Sequence, residues 1–402
     1  MRPRDLSSHT AYEAGRGVEE VAHEVGLDPD DLIKLSSNEN PHGPSPDAAE
    51  AIREVADAVH VYPKSSHTDL VEALARKWGV APAQVWLANG GDGALDYLAR
   101  ALLDPGDEVL VAEPGFAYYA MSARYHHGRV NTYPLPKADG FAQDAVGVLD
   151  AYDGERIVYL TSPHNPTGSE ISLDAVLEIA DRTDDDTLVL VDEAYGEFTD
   201  APSAVRLIEG RSGDGDGDGG GAAGKAAIGA PTNDVGDIDV SNIDGTEIDA
   251  LTAARDDVAV LRTFSKAYGL AGVRLGYAIT PASWADAYLR INTPFAASEV
   301  ACRAGLAALG DADHVARSVE SARWARAYMH EHLAAPTYES GGNFVLCAVG
   351  DAAGVTASLG REGVIVRDCS SFGLPECIRI TCGTREGTKR AVETANELLE
   401  ER

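Results

Sequence analysis

Short apolar, β-rich runs recur along the first two thirds of the chain, at 85–88, 108–111, 156–160, 187–191, 258–261 and 273–279. Segments with helical spacing of apolar positions lie between them. Such alternation predicts an α/β domain built on a mostly parallel sheet. Residues 17–26 place apolar side chains at 18, 21, 22 and 25, the spacing of a short amphipathic helix. A long helical pattern covers about 296–333, and strand patterns follow near 343–349 and 377–382. The expected organisation is an N-terminal arm (1–46), a large domain (47–289) and a smaller α+β domain (290–402) that the arm joins.

Residues 211–256 break this pattern. They are rich in Gly, Asp, Ala and Thr, which predicts a flexible surface insertion. Asp214, Asp216 and Asp218 followed by Gly219 imitate the start of a calcium loop, but the twelfth position is Lys225 instead of Glu. The run from Gly219 to Lys225 imitates a phosphate-binding loop, but Ala226 follows the lysine and no strand precedes it. Neither is read as functional.

Composition narrows the choice of class. A chain of 402 residues is long enough for two domains. Its 65 acidic and 33 basic side chains give a net charge of −32, which disfavours nucleic acid as a partner. No apolar run approaches the ~20 residues that span a bilayer. The first residues lack the apolar core of a secretory signal. Five cysteines without paired spacing read as reduced thiols, so a cytoplasmic location is expected. His126 and His127 have no third ligand at metal-binding spacing, and no metal is expected.

Open α/β sheets bind ligands beyond the carboxyl ends of their strands. Four predicted strand ends lead into polar clusters. After 85–88 come Asn89, Gly90, Gly91, Asp92 and Gly93, a turn that opens a helix. Backbone N–H groups there suit a phosphate, although glycines also simply permit turns. After 156–160 comes Asn-Pro-Thr-Gly (165–168), a turn signal in the first place. After 187–191 comes Asp-Glu-Ala-Tyr (192–195). A carboxylate at the end of an apolar strand needs a cationic partner, unless it caps a helix. After 258–261 come Arg262, Thr263, Phe264, Ser265 and Lys266, then Gly272-Val-Arg274. A lysine among apolar and small residues suits Schiff-base chemistry, against the commoner reading as a surface lysine.

In order and spacing, these motifs together resemble the pyridoxal-phosphate (PLP) enzymes of fold type I, and among them the class I and II aminotransferases. Further pieces are most similar to the histidinol-phosphate aminotransferase family. They are Ser-Asn-Glu-Asn-Pro-His-Gly (37–43), Val-Tyr-Pro (61–63), Asp-Glu-Ala-Tyr-Gly-Glu-Phe (192–198), Arg-Thr-Phe-Ser-Lys-Ala-Tyr-Gly-Leu-Ala-Gly-Val-Arg (262–274), Gly-Val-Ile-Val-Arg-Asp (363–368) and Ile-Arg-Ile-Thr-Cys-Gly-Thr-Arg (378–385). The resemblance covers the chain apart from about 211–256. It implies a large domain with a mostly parallel central sheet plus a smaller α+β domain.

The resemblance also implies roles. Lys266 would carry PLP as a Schiff base and then act as general base. Asp192 would pair with the ring nitrogen and keep it protonated. Asn165 and Tyr195 would bond the ring O3′, and Phe116 would stack on the ring. The cofactor phosphate would sit on Gly91, Asp92 and Gly93, with Thr263, Ser265 and Arg274; family members usually show a bulkier residue where Gly93 stands. Tyr62 would reach the cofactor of a neighbouring subunit, which implies a homodimer. Arg379 and Arg367, helped by Asn343 and Tyr12, would hold a substrate phosphate. For Arg367 the competing reading is a surface ion pair with Asp368.

The implied reaction exchanges an amino group between L-histidinol phosphate and 2-oxoglutarate, a step of histidine biosynthesis. Three alternatives stay open. One is an aminotransferase for aromatic or other amino acids, with Arg379 on the α-carboxylate. Another is a PLP decarboxylase of threonine phosphate. The third is a non-enzymatic PLP-fold binding protein, which the complete lysine, aspartate and arginine set disfavours.

The acidic excess predicts a salt-loving protein whose self-repulsion is relieved by ions. The melting temperature is expected to rise as KCl is raised from low to molar concentration. A melting temperature indifferent to KCl would count against that reading.

Overall fold

The computed structural model describes residues 6–7, 9, 17–64, 67–208 and 254–400. Two sheets organise them. Strands are numbered β1 (Ile33–Leu35), β2 (Val85–Ala88), β3 (Glu108–Glu113), β4 (Arg129–Pro134), β5 (Ile157–Thr161), β6 (Leu188–Asp192), β7 (Val258–Thr263), β8 (Gly276–Ile279), β9 (Phe344–Ala348), β10 (Val364–Asp368) and β11 (Cys377–Thr381). The large sheet has the order β2-β8-β7-β6-β5-β3-β4. Only β8 runs against its neighbours, antiparallel to both β2 and β7. The other pairings are parallel.

The composition of β5, β6 and β7 explains their place. Each is a run of Val, Leu, Ile, Ala or Tyr, closed by a short polar end, and every position is buried. Parallel strands covered by helices on both faces read as continuous apolar runs of this kind. β4 is the exception that the apolar pattern did not predict. It is mixed in polarity, half of its residues are exposed, and it ends in Pro134, which suits an edge strand.

The N-terminal arm is sewn into the second sheet. β1 lies parallel to β10, with Ile33 opposite Val364. β10, β11 and β9 continue antiparallel. The short helix expected at 17–26 is Val18–Val25, closed by Gly26 at φ 72. The single helical pattern expected over 296–333 is two helices, Glu299–Gly310 and Ala312–His332. Asp311 divides them, because its carboxylate accepts from the His314 N–H at 3.0 Å and caps the second helix.

Tyr12, both motif imitations and most of the expected insertion lie outside the described residues. The end of that stretch corrects its boundary. Arg255 pairs with Asp257 at 2.6 Å and also meets Asp181, and it bridges to Ile208. No helix among the described residues is long and apolar enough to cross a membrane.

One close approach fixes the sheet edge that carries the first polar turn. A Cβ on Gly276 of β8 would lie 2.5 Å from the Gly90 carbonyl carbon and 2.6 Å from the Gly91 nitrogen. Backbone cannot give way as a flexible side chain can. Gly276→Ala is expected to destabilise the fold by roughly 1–3 kcal/mol, read as a lower denaturant midpoint at unchanged slope. An unchanged midpoint would show that this packing is not tight.

Candidate active site

Because their strands are parallel, the ends of β2, β3, β5, β6 and β7 open on one side of the large sheet. There they border a cavity of about 460 Å³. Each strand delivers one part of its wall. β2 leads into the helix Gly90–Leu102, whose first turn supplies Gly91 and Asp92. β3 leads to Phe116, which caps the helix Ala117–Tyr125. β5 ends at Thr161 and is followed by Asn165. β6 ends in Asp192 and is followed by Tyr195. β7 ends in Thr263 and is followed by Ser265 and Lys266.

Asp192 is 6% exposed. The Tyr119 hydroxyl donates to its Oδ2 at 2.7 Å, and the Ala194 N–H donates to its Oδ1 at 2.9 Å. Burial nevertheless pushes its carboxyl up to about 6, against those two bonds. Across the same cavity, burial pushes the Lys266 amine down to about 8, and the nearby Arg379 cation adds to the effect. The Lys266 Nζ donates to the Ser37 carbonyl at 3.3 Å.

The helix Gly90–Leu102 starts without a side-chain cap, so its first N–H groups have no side-chain acceptor, and its residues Gly91 and Asp92 line the cavity. Arg274, held at φ 57, places its guanidinium beside Gly90 and 3.3 Å from the Asp92 carboxylate. The Ser265 hydroxyl accepts from Thr263 Oγ1 at 3.0 Å. Helix N-terminus, arginine and two hydroxyls form an anion cradle.

The opposite wall comes from the small sheet. Arg367 of β10 pairs in register with Arg379 of β11. Their guanidinium carbons lie 5.5 and 6.0 Å from the Phe372 ring. Arg379 also donates to Asn165 Oδ1 and, at 2.9 Å, to the Ser36 carbonyl. Arg367 donates to Ser371 at 3.0 Å, and the Asp368 carboxylate is occupied by the Ser370 N–H and hydroxyl. Two cations from adjacent strands therefore face one cavity.

The family model for aminotransferases of class I and II matches residues 30–394. The chain belongs to that family. A histidinol-phosphate aminotransferase of Natronomonas pharaonis is 63% identical over 99% of this chain and 100% of its own length. One of Haloarcula marismortui is 62% identical over 100% and 99%. Among solved structures, a histidinol-phosphate aminotransferase of Sinorhizobium meliloti, in complex with pyridoxal-5'-phosphate, is 26% identical. It superposes with a TM-score of 0.77, covering 96% of this chain and 95% of that one. A Thermus thermophilus aspartate aminotransferase single mutant is 23% identical at a TM-score of 0.75, over 99% and 100%, and shares the fold.

Twelve of the residues expected from sequence border the aminotransferase cavity: Gly91, Asp92, Phe116, Asn165, Asp192, Tyr195, Thr263, Ser265, Lys266, Arg274, Arg367 and Arg379. Three others stand apart. Gly93 faces Ala88 and Asn89. Asn343 is buried behind the wall and donates to the Asn38 carbonyl at 3.0 Å. Tyr62 is 81% exposed and stacks on Phe295, with centroids 4.9 Å apart. Sequence reasoning missed Tyr119, Thr161 and Asn38. Tyr119 follows Phe116 by three residues, so the only signal was an aromatic one helical turn on.

The site fits a pyridine ring with a phosphate. A buried carboxylate contacted by a phenol and one N–H is suited to a cationic ring nitrogen. The anion cradle and the lysine lie on the same cavity. The folded protein binds a proton at Asp192 more tightly than the unfolded chain, whose carboxyl titrates near 3.8. Its stability in the cofactor-free state therefore falls as pH rises from about 4 through about 6. Asp192→Asn is expected to raise the melting temperature of cofactor-free protein at pH 8, with the gain fading below pH 4. Equal gains at both pH values would show that the ionised carboxylate carries no penalty.

Proposed function

We propose that this chain exchanges an amino group between L-histidinol phosphate and 2-oxoglutarate, with pyridoxal 5'-phosphate held by Lys266. The observation that carries the reading is the pair of arginines, 367 and 379, on the same cavity as Lys266. A dianionic phosphate and the carboxylates of glutamate can both use such a pair. The names of the relatives at 63% and 62% identity support the same substrate.

The geometry supports a set of cofactor residues. Gly91, Asp92, Thr263, Ser265 and Arg274 would hold the phosphate, and Asp192, Asn165, Tyr195 and Phe116 the ring. Bound PLP supplies a protonated ring that accepts electron density when a bond at the substrate carbon is broken. Lys266 is the one lysine among the described residues lining the cavity. With its amine near 8, it can take a proton and return it at physiological pH. Arg367 and Arg379 would orient the substrate, and Phe116 and Phe372 add apolar surface to the same cavity.

The same reading divides the chain into a large cofactor domain (47–289) and a small domain made of the arm and 290–402. It also includes a homodimer in a cytoplasmic setting. Tyr62 and Phe295 form an exposed apolar pair, which a second copy would cover.

A half-reaction titration tests the substrate. Histidinol phosphate is expected to bleach the visible band of the cofactor-loaded protein at micromolar concentrations, and phenylalanine to do so far less well. Rapid bleaching by phenylalanine with none by histidinol phosphate would overturn the assignment. Arg367→Ala is expected to raise the histidinol phosphate requirement by at least tenfold, the effect of one lost charge-assisted contact.

A further inference from the structure

Asn38 lies on the cavity wall and is 1% exposed. Its backbone is held at φ 53, in the left-handed region. Asn tolerates that conformation better than most residues, but a fold keeps it only where surrounding contacts dictate it. Here they do. The Asn38 N–H donates to Thr381 Oγ1 at 3.0 Å. The Thr381 hydroxyl donates to Asn38 Oδ1 at 3.1 Å. The Asn38 carbonyl accepts from Asn343 Nδ2 at 3.0 Å. Its side-chain Nδ2 donates to Tyr195 Oη at 2.9 Å.

The direction of the last bond follows from Thr381. That hydroxyl oxygen already accepts the Asn38 N–H, so its own proton goes to Oδ1. The amide must then turn its NH2 side to Tyr195. Tyr195 Oη is consequently an acceptor from Asn38, and its proton is left for another acceptor. Tyr195 itself borders the cavity. Arg379 sets Asn165 in the same sense, because Asn165 Oδ1 accepts from the guanidinium.

We propose that Asn38 is a positioning residue that sets the polarity of the Tyr195 hydroxyl, so that its proton is presented to an anionic oxygen of the cavity's ligand. Resting on the function proposed above, that oxygen belongs to the cofactor ring. Thr381 and Asn343, from the small sheet, lock the amide that does this. The N-terminal arm thereby acts on a residue of the β6 end, 157 positions along the chain.

The test reads the pH midpoint of the visible absorbance change of cofactor-loaded protein, with no substrate present. Asn38→Asp replaces the donor by an acceptor of the same shape. It is expected to raise the midpoint by about one pH unit, because the anionic oxygen loses its donor. Tyr195→Phe is expected to raise it comparably, and the double variant no further than the larger single effect. A purely electrostatic effect of the new carboxylate would persist in the Tyr195→Phe background, and that result would overturn the proposal. Should Asn38→Asp fail to fold, Thr381→Val frees the amide and is expected to raise the midpoint by a smaller amount. A lower melting temperature with an unmoved midpoint in either variant would reduce Asn38 to a structural role and overturn the proposal. Wild-type protein that binds no cofactor would instead sink the proposed function, and this inference with it.

Discussion

A carboxylate is taken out of water at the end of β6, and its direct partners are a phenol and one backbone N–H. Burial of a charge on these terms is costly. Nothing about the sheet itself calls for an acid there, since the four residues before it are Leu, Val, Leu and Val, all buried. The cost becomes intelligible if the site exists to receive a cation from outside the chain. Much of the surrounding architecture holds that carboxylate still. Tyr119 reaches it from the helix after β3 and is itself stacked on Tyr159, with ring centroids 4.9 Å apart. Thr161 fixes the other side of the same phenol at 2.8 Å.

Behind the cavity, a second buried charge cluster ties the strand ends together. Arg262 of β7 meets Glu193 at 2.6 Å and Glu197 at 2.5 Å, over the face of Trp78. Glu193 also accepts from Ser203 and from the Ala204 N–H. Such a cluster is weak evidence of net stability, because desolvation offsets much of the attraction. Its geometric effect is clearer. It links the residue after Asp192 to a residue four before Lys266, so the two chemical groups share one rigid frame. The arm completes that frame from the other side. Asn40 donates to the Ala267 carbonyl at 2.9 Å and to Ser318 at 2.8 Å, joining the lysine loop to the helix Ala312–His332.

The legible parts of this protein were those whose meaning is local. Apolar runs marked the buried strands, and the polar residues directly after them marked the cavity wall, because parallel strands must all present the same end. What was illegible depended on distant partners or on weak contrast. β4 escaped because an edge strand needs few apolar residues. The break at Asp311 escaped because a cap between two helices preserves the helical spacing on both sides. Tyr119 belongs to none of the polar clusters that follow the strands, and only the rotation of its helix turns the hydroxyl to Asp192. Asn38 stood within the motif at 37–43 with no role of its own. Its partner Thr381 lies 343 positions away, a pairing that spacing alone cannot reveal.

The acidic surface and the basic pocket also belong to one argument. A net charge of −32 repels phosphorylated and carboxylated ligands at long range. Within a few ångströms, however, two register-paired arginines dominate, because Coulomb attraction grows as separation falls and Arg379, 5% exposed, is shielded from the water that would screen it. Salt separates the two scales. Ions screen charges on the exposed surface over about 10 Å or less, and reach a partly enclosed pair much less. High salt thus weakens the repulsion a substrate meets on approach while largely sparing the attraction it meets at the end. An enzyme built this way is expected to gain from salt in binding as well as in folding, which a uniformly neutral surface would not.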